Sequence, residues 1–385
     1  IRIKYLILKR PKNFSKGRPL VVGFLTSPSG LGEGARLLIQ ALEKTGYNPS
    51  KFDLTPHLQP ERNILNIPNL SEDDSLGPII LHVNPPEIPK ALALVGKKRL
   101  LGRKIIGVWA WETGILPKSW VKAQRWVDEI WASSYFLETV FTKSLTTPII
   151  YTGYPCSLMY KNNKIDRKYE LSKYSISDKN EAIFTVFTSF DENSSVFRKN
   201  PHGAVNAFQS AFENKTNVRL IIKLTGTRFS KKIPNIWLND PRIHIVSSNL
   251  NENDIISLMK SCDCVISLHR AEGYGLLIAK ALANGLPVIS TNYSGPEDFI
   301  DCPNAYAVDY ELVPIIDPTG IYKSKHGHWA DPNIIKAAEH LKYIESLRIN
   351  EREKKSSAAI LWWKKNHTEK DFIAKIPKKH MKKIN

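Results

Sequence analysis

The sequence predicts an α/β protein of two successive units, each a parallel sheet covered by helices on both faces. Three observations predict it. Short apolar runs alternate with segments whose apolar residues recur at helical spacing, the rhythm of parallel strands joined by crossover helices. That rhythm stops between Pro155 and Asn180, where the chain turns polar and charged, and then resumes. The length of 385 residues suits two domains of ordinary size. With 42% hydrophobic residues, each unit can fill a core, and a disordered chain is excluded.

In the first unit, residues 20–26 read as a buried strand. Residues 32–44 follow as a helix stopped by Gly46. Residues 78–83, 104–111 and 129–133 read as further strands, with a helix over 134–143. In the second unit, strands are expected at 182–189, 218–224, 243–246, 264–268 and 287–291. Helices are expected at 202–213, 253–261 and 275–284, the last stopped by Gly285. From Ile334 to Trp363 the pattern is helical and ends in Ile360-Leu361-Trp362-Trp363, which should dock on a domain surface. We place a first domain at 1–160, a linker at 161–180, a second domain at 181–350 and a basic helical tail at 351–385.

The net charge is +18. The last 35 residues hold eleven Lys/Arg against four Asp/Glu, a surplus of seven. Nothing matches a nucleic-acid-reading motif, so nucleic acid is not expected as a partner. An anionic membrane surface or an acidic lipid-linked substrate suits the charge; a solvated basic tail is the plainer alternative. No apolar run approaches the roughly 18 residues of a transmembrane helix, and no secretory signal is visible. The four cysteines, Cys156, Cys262, Cys264 and Cys302, are too few and too unevenly spaced for a disulfide framework. Buried thiols in the reducing cytoplasm are expected. His326-Gly327-His328 has no third ligand nearby, so no metal site is expected.

Three segments can carry chemistry. Ser29-Gly30-Leu31-Gly32-Glu33-Gly34-Ala35 lies between a strand and a helix, where glycines allow close backbone approach and free N–H groups attract an anion. With Asp53 about 20 residues on, Gly30 and Gly32 also fit a dinucleotide fingerprint. Three residues separate the glycines from the strand, which weakens that fit. In the second unit, His269-Arg270-Ala271-Glu272-Gly273-Tyr274-Gly275-Leu276 runs from a strand end into a helix. Amides at Gly275 and Leu276 suit a diphosphate, and Glu272 suits sugar hydroxyls. Residues 190–203 add the Arg198-Lys199 pair, and Lys223 ends the next strand. These cations can neutralise a leaving diphosphate; a surface pair in a polar turn is the bland alternative.

The segment from Ser267 to Ile300 resembles the donor-binding signature of the retaining glycosyltransferases of family 4. Asp263, Ala283-Asn284-Gly285-Leu286-Pro287 and Ser294-Gly295-Pro296-Glu297 flank it in the family's order. The resemblance implies the GT-B fold, two facing Rossmann-like domains with an interdomain cleft, here with a C-terminal helical segment. It implies transfer of a sugar, with retention, from a nucleotide-diphosphate-sugar to a hydroxyl acceptor such as a glycan or lipid-linked glycan. Lipopolysaccharide assembly at the inner membrane face, with peripheral membrane contact, is the setting by family analogy. No cofactor or metal is implied. Glu272 matches the first carboxylate of the family's E-x7-E pattern, which reads the sugar. The second position is Lys280, a departure; a lysine there either reaches a phosphate or faces solvent. Arg198, Lys199, Lys223, Arg270, Gly273, Tyr274, Gly275, Leu276 and Lys280 would line the donor site, with Gly30 and Gly32 closing over its phosphates.

In the first unit, Trp109-Ala110-Trp111-Glu112 resembles a W-x-W-E segment of a bacterial branch of the family. Glu112 is placed there as a second catalytic residue, reading the sugar or the acceptor, while core packing is the alternative for the tryptophans. His82, at another strand end, is either structural or a cleft residue. Two other functions stay open. One is an NAD-dependent oxidoreductase using Gly30-x-Gly32 and Asp53. The other is a non-catalytic binding protein that keeps the fold, suggested by Lys280.

Overall fold

The computed structural model describes residues 14–62, 65, 76–155, 165–176, 183–226, 233–247, 250–322, 324 and 326–383. Cys156 lies outside them. The chain divides into two compact units, Ile1–Leu158 with Asn366–Asn385, and Met159–Lys365.

The first unit is a parallel sheet of β1 (Leu20–Gly23), β2 (Ser50–Asp53), β3 (Ile79–His82), β4 (Ile105–Val108), β5 (Glu129–Ala132) and β6 (Ile149–Tyr151). Their spatial order is β2-β1-β3-β4-β5-β6. β1, β3, β4 and β5 are buried throughout, so they read as unbroken apolar runs instead of alternating ones. α1 (Gly30–Lys44) buries Ala35, Leu37, Leu38, Ala41 and Leu42. α2 (Ile88–Val95) and α3 (Tyr135–Ser144) are further helices of this unit, and the Ser134 hydroxyl caps α3.

The polar stretch read as a linker carries a short helix, α4 (Arg167–Ser172), capped by Asp166. It belongs to the second unit. Arg167 donates to Ile183 O at 2.6 Å and pairs with Asp263 at 2.9 Å.

The second sheet contains β7 (Phe184–Asp191), β8 (Val218–Thr225), β9 (Ile243–Val246), β10 (Cys264–Ser267), β11 (Val288–Thr291) and β12 (Ala305–Val308). It is also parallel, in the order β12-β11-β10-β7-β8-β9. That is the doubly wound Rossmann order, in which successive strands build outward to both sides from β7 and β10. A one-turn helix α5 (Val196–Lys199) precedes α6 (Pro201–Ala211); α7 (Glu252–Lys260) and α8 (Leu276–Ala283) follow in turn. Phe208 and Phe212 pack with Leu220, Ile222, Ile266 and Leu341 in one apolar cluster on the side covered by α6. An antiparallel ribbon, β13 (Tyr310–Pro314) with β14 (His328–Pro332), was not anticipated.

The terminal helical pattern divides at Leu347 into α9 (Ile334–Ser346) and α10 (Ile349–Asn366). Trp363 is fully buried against Phe299, with ring centroids 5.4 Å apart, so the expected docking is present. Gly285, at φ +78°, leaves room for α10: a Cβ there would sit 3.0 Å from Ser356 O. Residues 351–385, grouped by composition as one tail, divide between the units. α11 (Glu369–Lys375) buries Phe372 and Ile373, and Lys44 of α1 meets Glu369 at 3.0 Å. The physical reason is that its apolar face finds α1 to cover it, whereas charge alone gives no docking partner.

Candidate active site

In an open parallel sheet, ligands bind beyond the carboxyl ends of the strands where the strand order reverses. In the second unit that point lies between β7 and β10, which are hydrogen-bonded neighbours. The loops leaving these strands carry Ser195 to Asn200 and Leu268 to Gly275.

Glu272 is the centre of the site. It is 8% exposed, Lys199 Nζ donates to its Oε1, and Arg198 Nη1 lies 3.2 Å from its Oε2. Burial alone pushes this carboxyl up, but the charges of Lys199 and Arg198 outweigh it and hold the pKa at about 2. Two cations against one carboxylate leave a positive excess, which suits an anionic ligand. The cations differ. Arg198 is 3% exposed and turned inward, donating to Ala271 O at 2.6 Å and Ser194 O at 3.1 Å. Lys199 keeps 24% of its side chain exposed and is the more accessible member of the pair.

The backbone of the Glu272 loop is held from β11. Ser294, at φ +67°, accepts the Glu272 N–H at 2.9 Å, and the Gly295 N–H donates to Glu272 O at 3.0 Å. A Cβ on Gly295 would sit 2.6 Å from the Gly273 carbonyl carbon, so only glycine permits this approach. Gly275 has φ +93° and opens α8, so the free first-turn amides begin at Leu276. Asn200 caps α6, accepting from Gly203 N–H, and donates to Leu268 O at 2.9 Å, joining the two strand ends.

Other expected donor-site residues are placed differently. Tyr274 packs edge-on against Phe299 in the core. Arg270 donates to Phe197 O at 2.8 Å and pairs with Asp331 at 3.0 Å, tying α5 to the β13–β14 ribbon. Lys223 is 2% exposed and donates to Leu224 O and Thr225 Oγ1, both at 3.0 Å; burial lowers its pKa, against the pull of Asp191. Lys280 does not face solvent. It is 4% exposed, with Nζ 4.0 Å from Glu252 of α7, because its helix face is inward. Asp263 is a structural hub that accepts from Thr185, Arg167 and Arg352.

Sequence reasoning quoted His269 and Ser294 within motifs, and Ser195 and Asn200 within residues 190–203, but gave none of the four a role. His269 is fully buried, and burial lowers its pKa to about 4. In the neutral tautomer that satisfies both nitrogens, Nδ1 accepts from Ser267 Oγ and Nε2 donates to Tyr293 O. A histidine three residues before the carboxylate was its only signal.

In the first unit, Gly30 is exposed and Gly32 buried at the start of α1, where Ser29 Oγ accepts the Gly32 N–H at 3.2 Å. A Cβ on Gly32 would lie 2.5 Å from Phe24 O, so this glycine serves backbone packing. Asp53 accepts from Leu25 N–H, Thr26 Oγ1, Thr55 N–H and Thr55 Oγ1. Three of those bonds fall on Oδ1 and one on Oδ2, so the carboxylate that the dinucleotide alternative assigns to a ribose is engaged in holding the backbone after β1 and β2. Glu112 is half-buried in the loop after β4. Trp109 and Trp111 are core residues packed on Trp120. His82 is fully buried beside Tyr154 Oη at 2.9 Å, and burial lowers its pKa to about 4. The described residues contain no cluster of three or more potential metal ligands, and no helix among them is long and apolar enough to cross a membrane.

Residues 193–304, which span this site, match the family model "Glycosyl transferases group 1". None of the curated proteins matches the chain in sequence. Among solved structures, WaaG, a glycosyltransferase involved in lipopolysaccharide biosynthesis, superposes with a TM-score of 0.58 at 14% identity, covering 93% of this chain and 98% of that one. A UDP-forming α,α-trehalose-phosphate synthase from Burkholderia xenovorans gives 0.57 at 12% identity, covering 92% and 97%. S. aureus TarM, solved with Fondaparinux, α-GlcNAc-glycerol and UDP, gives 0.56 at 13% identity, covering 77% of this chain but 54% of TarM. The chain thus spans about half the length of TarM. At such identities the likeness is one of fold. The class is therefore a two-domain α/β protein of GT-B fold. More particularly, residues 193–304 of its second unit, Glu272 among them, are similar to the group 1 glycosyl transferases.

Proposed function

We propose that this protein is a retaining glycosyltransferase that moves a sugar from a nucleotide-diphosphate-sugar to a hydroxyl of a glycan or lipid-linked glycan. One observation carries the proposal: a buried, ionised Glu272 held by Lys199 and Arg198 at the switch point of the second sheet. In this reading Glu272 accepts hydrogen bonds from the donor's sugar hydroxyls. Lys199 and the first amides of α8 take the diphosphate, and Arg198 keeps Glu272 ionised and aimed. As the glycosidic bond breaks, charge grows on the leaving diphosphate, where a preorganised cation and helix N-terminus are most effective. A leaving phosphate oxygen takes the acceptor hydroxyl's proton while the acceptor oxygen bonds to the anomeric carbon on the same face. That step needs neither an enzyme nucleophile nor a metal. Glu112 is proposed for the acceptor side. The net charge of +18 suits an anionic surface or lipid-linked acceptor on the cytoplasmic side.

UDP is the first base to test, being named for TarM and the trehalose-phosphate synthase. UDP-, GDP-, ADP- and dTDP-glucose are to be screened by thermal shift, then for release of nucleotide. Glu272→Ala and Lys199→Ala should each remove most turnover. Near-normal turnover in both variants would refute the site. A second reading, a donor-binding protein without turnover, is favoured by a buried Lys280 standing where the family's second carboxylate is expected; it predicts a thermal shift with no nucleotide release under any acceptor.

A further inference from the structure

The ribbon β13–β14 and its connecting loop stand outside the six-stranded sheet, between β12 and α9. At its base the ribbon is fastened to the site. The Ala330 N–H donates to Arg270 O at 2.8 Å, and the Arg270 guanidinium lies over Trp329 at 5.8 Å. Its loop returns to α5. Asp317 folds that loop by accepting Thr319 N–H at 3.2 Å, the Thr319 hydroxyl at 2.7 Å and Tyr322 N–H at 3.0 Å. Those bonds are local. One is not: Ser195, 122 residues away in sequence, donates its hydroxyl proton to Asp317 Oδ1 at 2.9 Å. With its proton directed there, Ser195 Oγ turns a lone pair to the Arg198 N–H at 3.3 Å. Tyr322, buried, lies 5.7 Å from the Arg198 guanidinium.

A single helical turn does not hold itself together. α5 has four residues, and Ser195 before it sits at φ +61°, an unfavourable place for serine. The geometry of α5 must therefore be imposed from outside. We propose that Asp317 is a positioning residue of the donor site: through Ser195 it fixes α5 and so holds Arg198 against Glu272. The inference rests on the Glu272–Lys199–Arg198 group being that donor site. The relay runs from Asp317 to the Ser195 hydroxyl, then to the backbone of Arg198, then to Glu272.

The test uses the full chain carrying Asp317→Ala, Asp317→Asn, Ser195→Ala or Asp317→Ala with Ser195→Ala. UDP binding is read by calorimetry, and UDP release from UDP-glucose without acceptor gives kcat and KM. Asp317→Ala and Ser195→Ala should each lower kcat about tenfold with KM within about threefold, because misalignment costs the transition state more than the ground state. The double variant should fall no more than about twofold below the weaker single one, since both break one relay. Asp317→Asn keeps an oxygen for Ser195 and should recover to within about threefold of the unaltered protein. A lowered Tm in Asp317→Ala with unchanged kcat would reduce Asp317 to a loop-folding residue and overturn the proposal. A roughly hundredfold multiplicative loss in the double variant would do the same. Glu272→Gln separates the two levels. If it abolishes UDP release while Asp317→Ala does not alter kcat, only the positioning role fails. If the protein binds and cleaves none of UDP-, GDP-, ADP- and dTDP-glucose, the donor-site reading fails and takes this one with it.

Discussion

Replacing Glu272 by Gln removes one charge and almost no volume, so it isolates the electrostatic role of the carboxylate. In the folded protein its pKa is about 2, against an ordinary value of 4.5. At about 1.4 kcal/mol for each tenfold in proton affinity, that depression is worth about 3 kcal/mol of stability. The group is buried, so solvent screening takes little from this figure. Because folding lowers the pKa, the contribution is complete above pH 4.5 and drains away as pH falls towards 2. By pH 3, about 2 of those 3 kcal/mol should be gone. Glu272→Gln should therefore be less stable at pH 7 by about 3 kcal/mol, and the gap should narrow as acid is added. Urea unfolding followed by tryptophan emission, at intervals from pH 7 to pH 3, measures the gap; Trp237, Trp329, Trp362 and Trp363 report the second unit, beside five tryptophans in the first whose transition Glu272→Gln should leave unmoved. A gap that stays constant across that range would show that Lys199 and Arg198 do not hold Glu272 ionised, and the site's electrostatics would have to be redrawn.

Trp363→Ala should cost about 3–5 kcal/mol, because it empties a fully buried indole site against Phe299; a urea midpoint equal to the unaltered protein's would mean α10 is not docked there. Gly32→Ala should cost about 1–3 kcal/mol, since the new methyl meets the Phe24 carbonyl oxygen, and an unshifted midpoint would show that the turn before α1 has slack. Cys262, Cys264 and Cys302 should resist alkylation at pH 8 until the chain unfolds, as burial raises all three thiols, to about 12 for Cys262 and about 11 for Cys302; mass spectrometry showing native-state labelling of any of them would contradict that burial.

Most of the strands legible in the sequence are buried on both faces, because burial forces an unbroken apolar run; β9 was legible although only its end residues are buried, and β12, half-buried in alternation, was not anticipated. β6 was not legible: Ile149–Tyr151 is three half-buried residues at a sheet edge, too short for periodicity to register. β13 and β14 escaped for a related reason. Tyr-Glu-Leu-Val-Pro faces solvent at most positions, and the ribbon is held from elsewhere in the chain by Arg270, which pairs with Asp331 and lies over Trp329. In the site, Glu272, Lys199, Gly275 and Leu276 were readable because a strand end, a glycine and a helix start have local signatures. The environments of Arg198, Lys223 and Lys280 were not readable. Motif position says that a cation is present near the switch point but not which way it turns. Arg198 turns inward because the carbonyls of Ser194 and Ala271 and the Glu272 carboxylate all lie on that side.

Backbone strain shows why the frame of the site is the hardest part to read. Among the described residues, five non-glycine positions have positive φ, and three of them, Ser195, Asn200 and Ser294, hold the Glu272 group. Each such position costs on the order of 1 kcal/mol or more, so each needs a bond that repays it. Ser195 has Asp317, Asn200 has Leu268 O and the Gly203 amide, and Ser294 has the Glu272 amide. All three side chains are short and polar, the kind that can close a hydrogen bond onto nearby backbone. In a one-dimensional sequence they are ordinary loop residues, because the partner that justifies each strained angle lies on another strand or in the ribbon. Glycine at these positions would relieve the strain and lose the bond. Alanine would keep the strain and lose the bond, and should therefore be the more damaging replacement at Ser195, Asn200 and Ser294 alike.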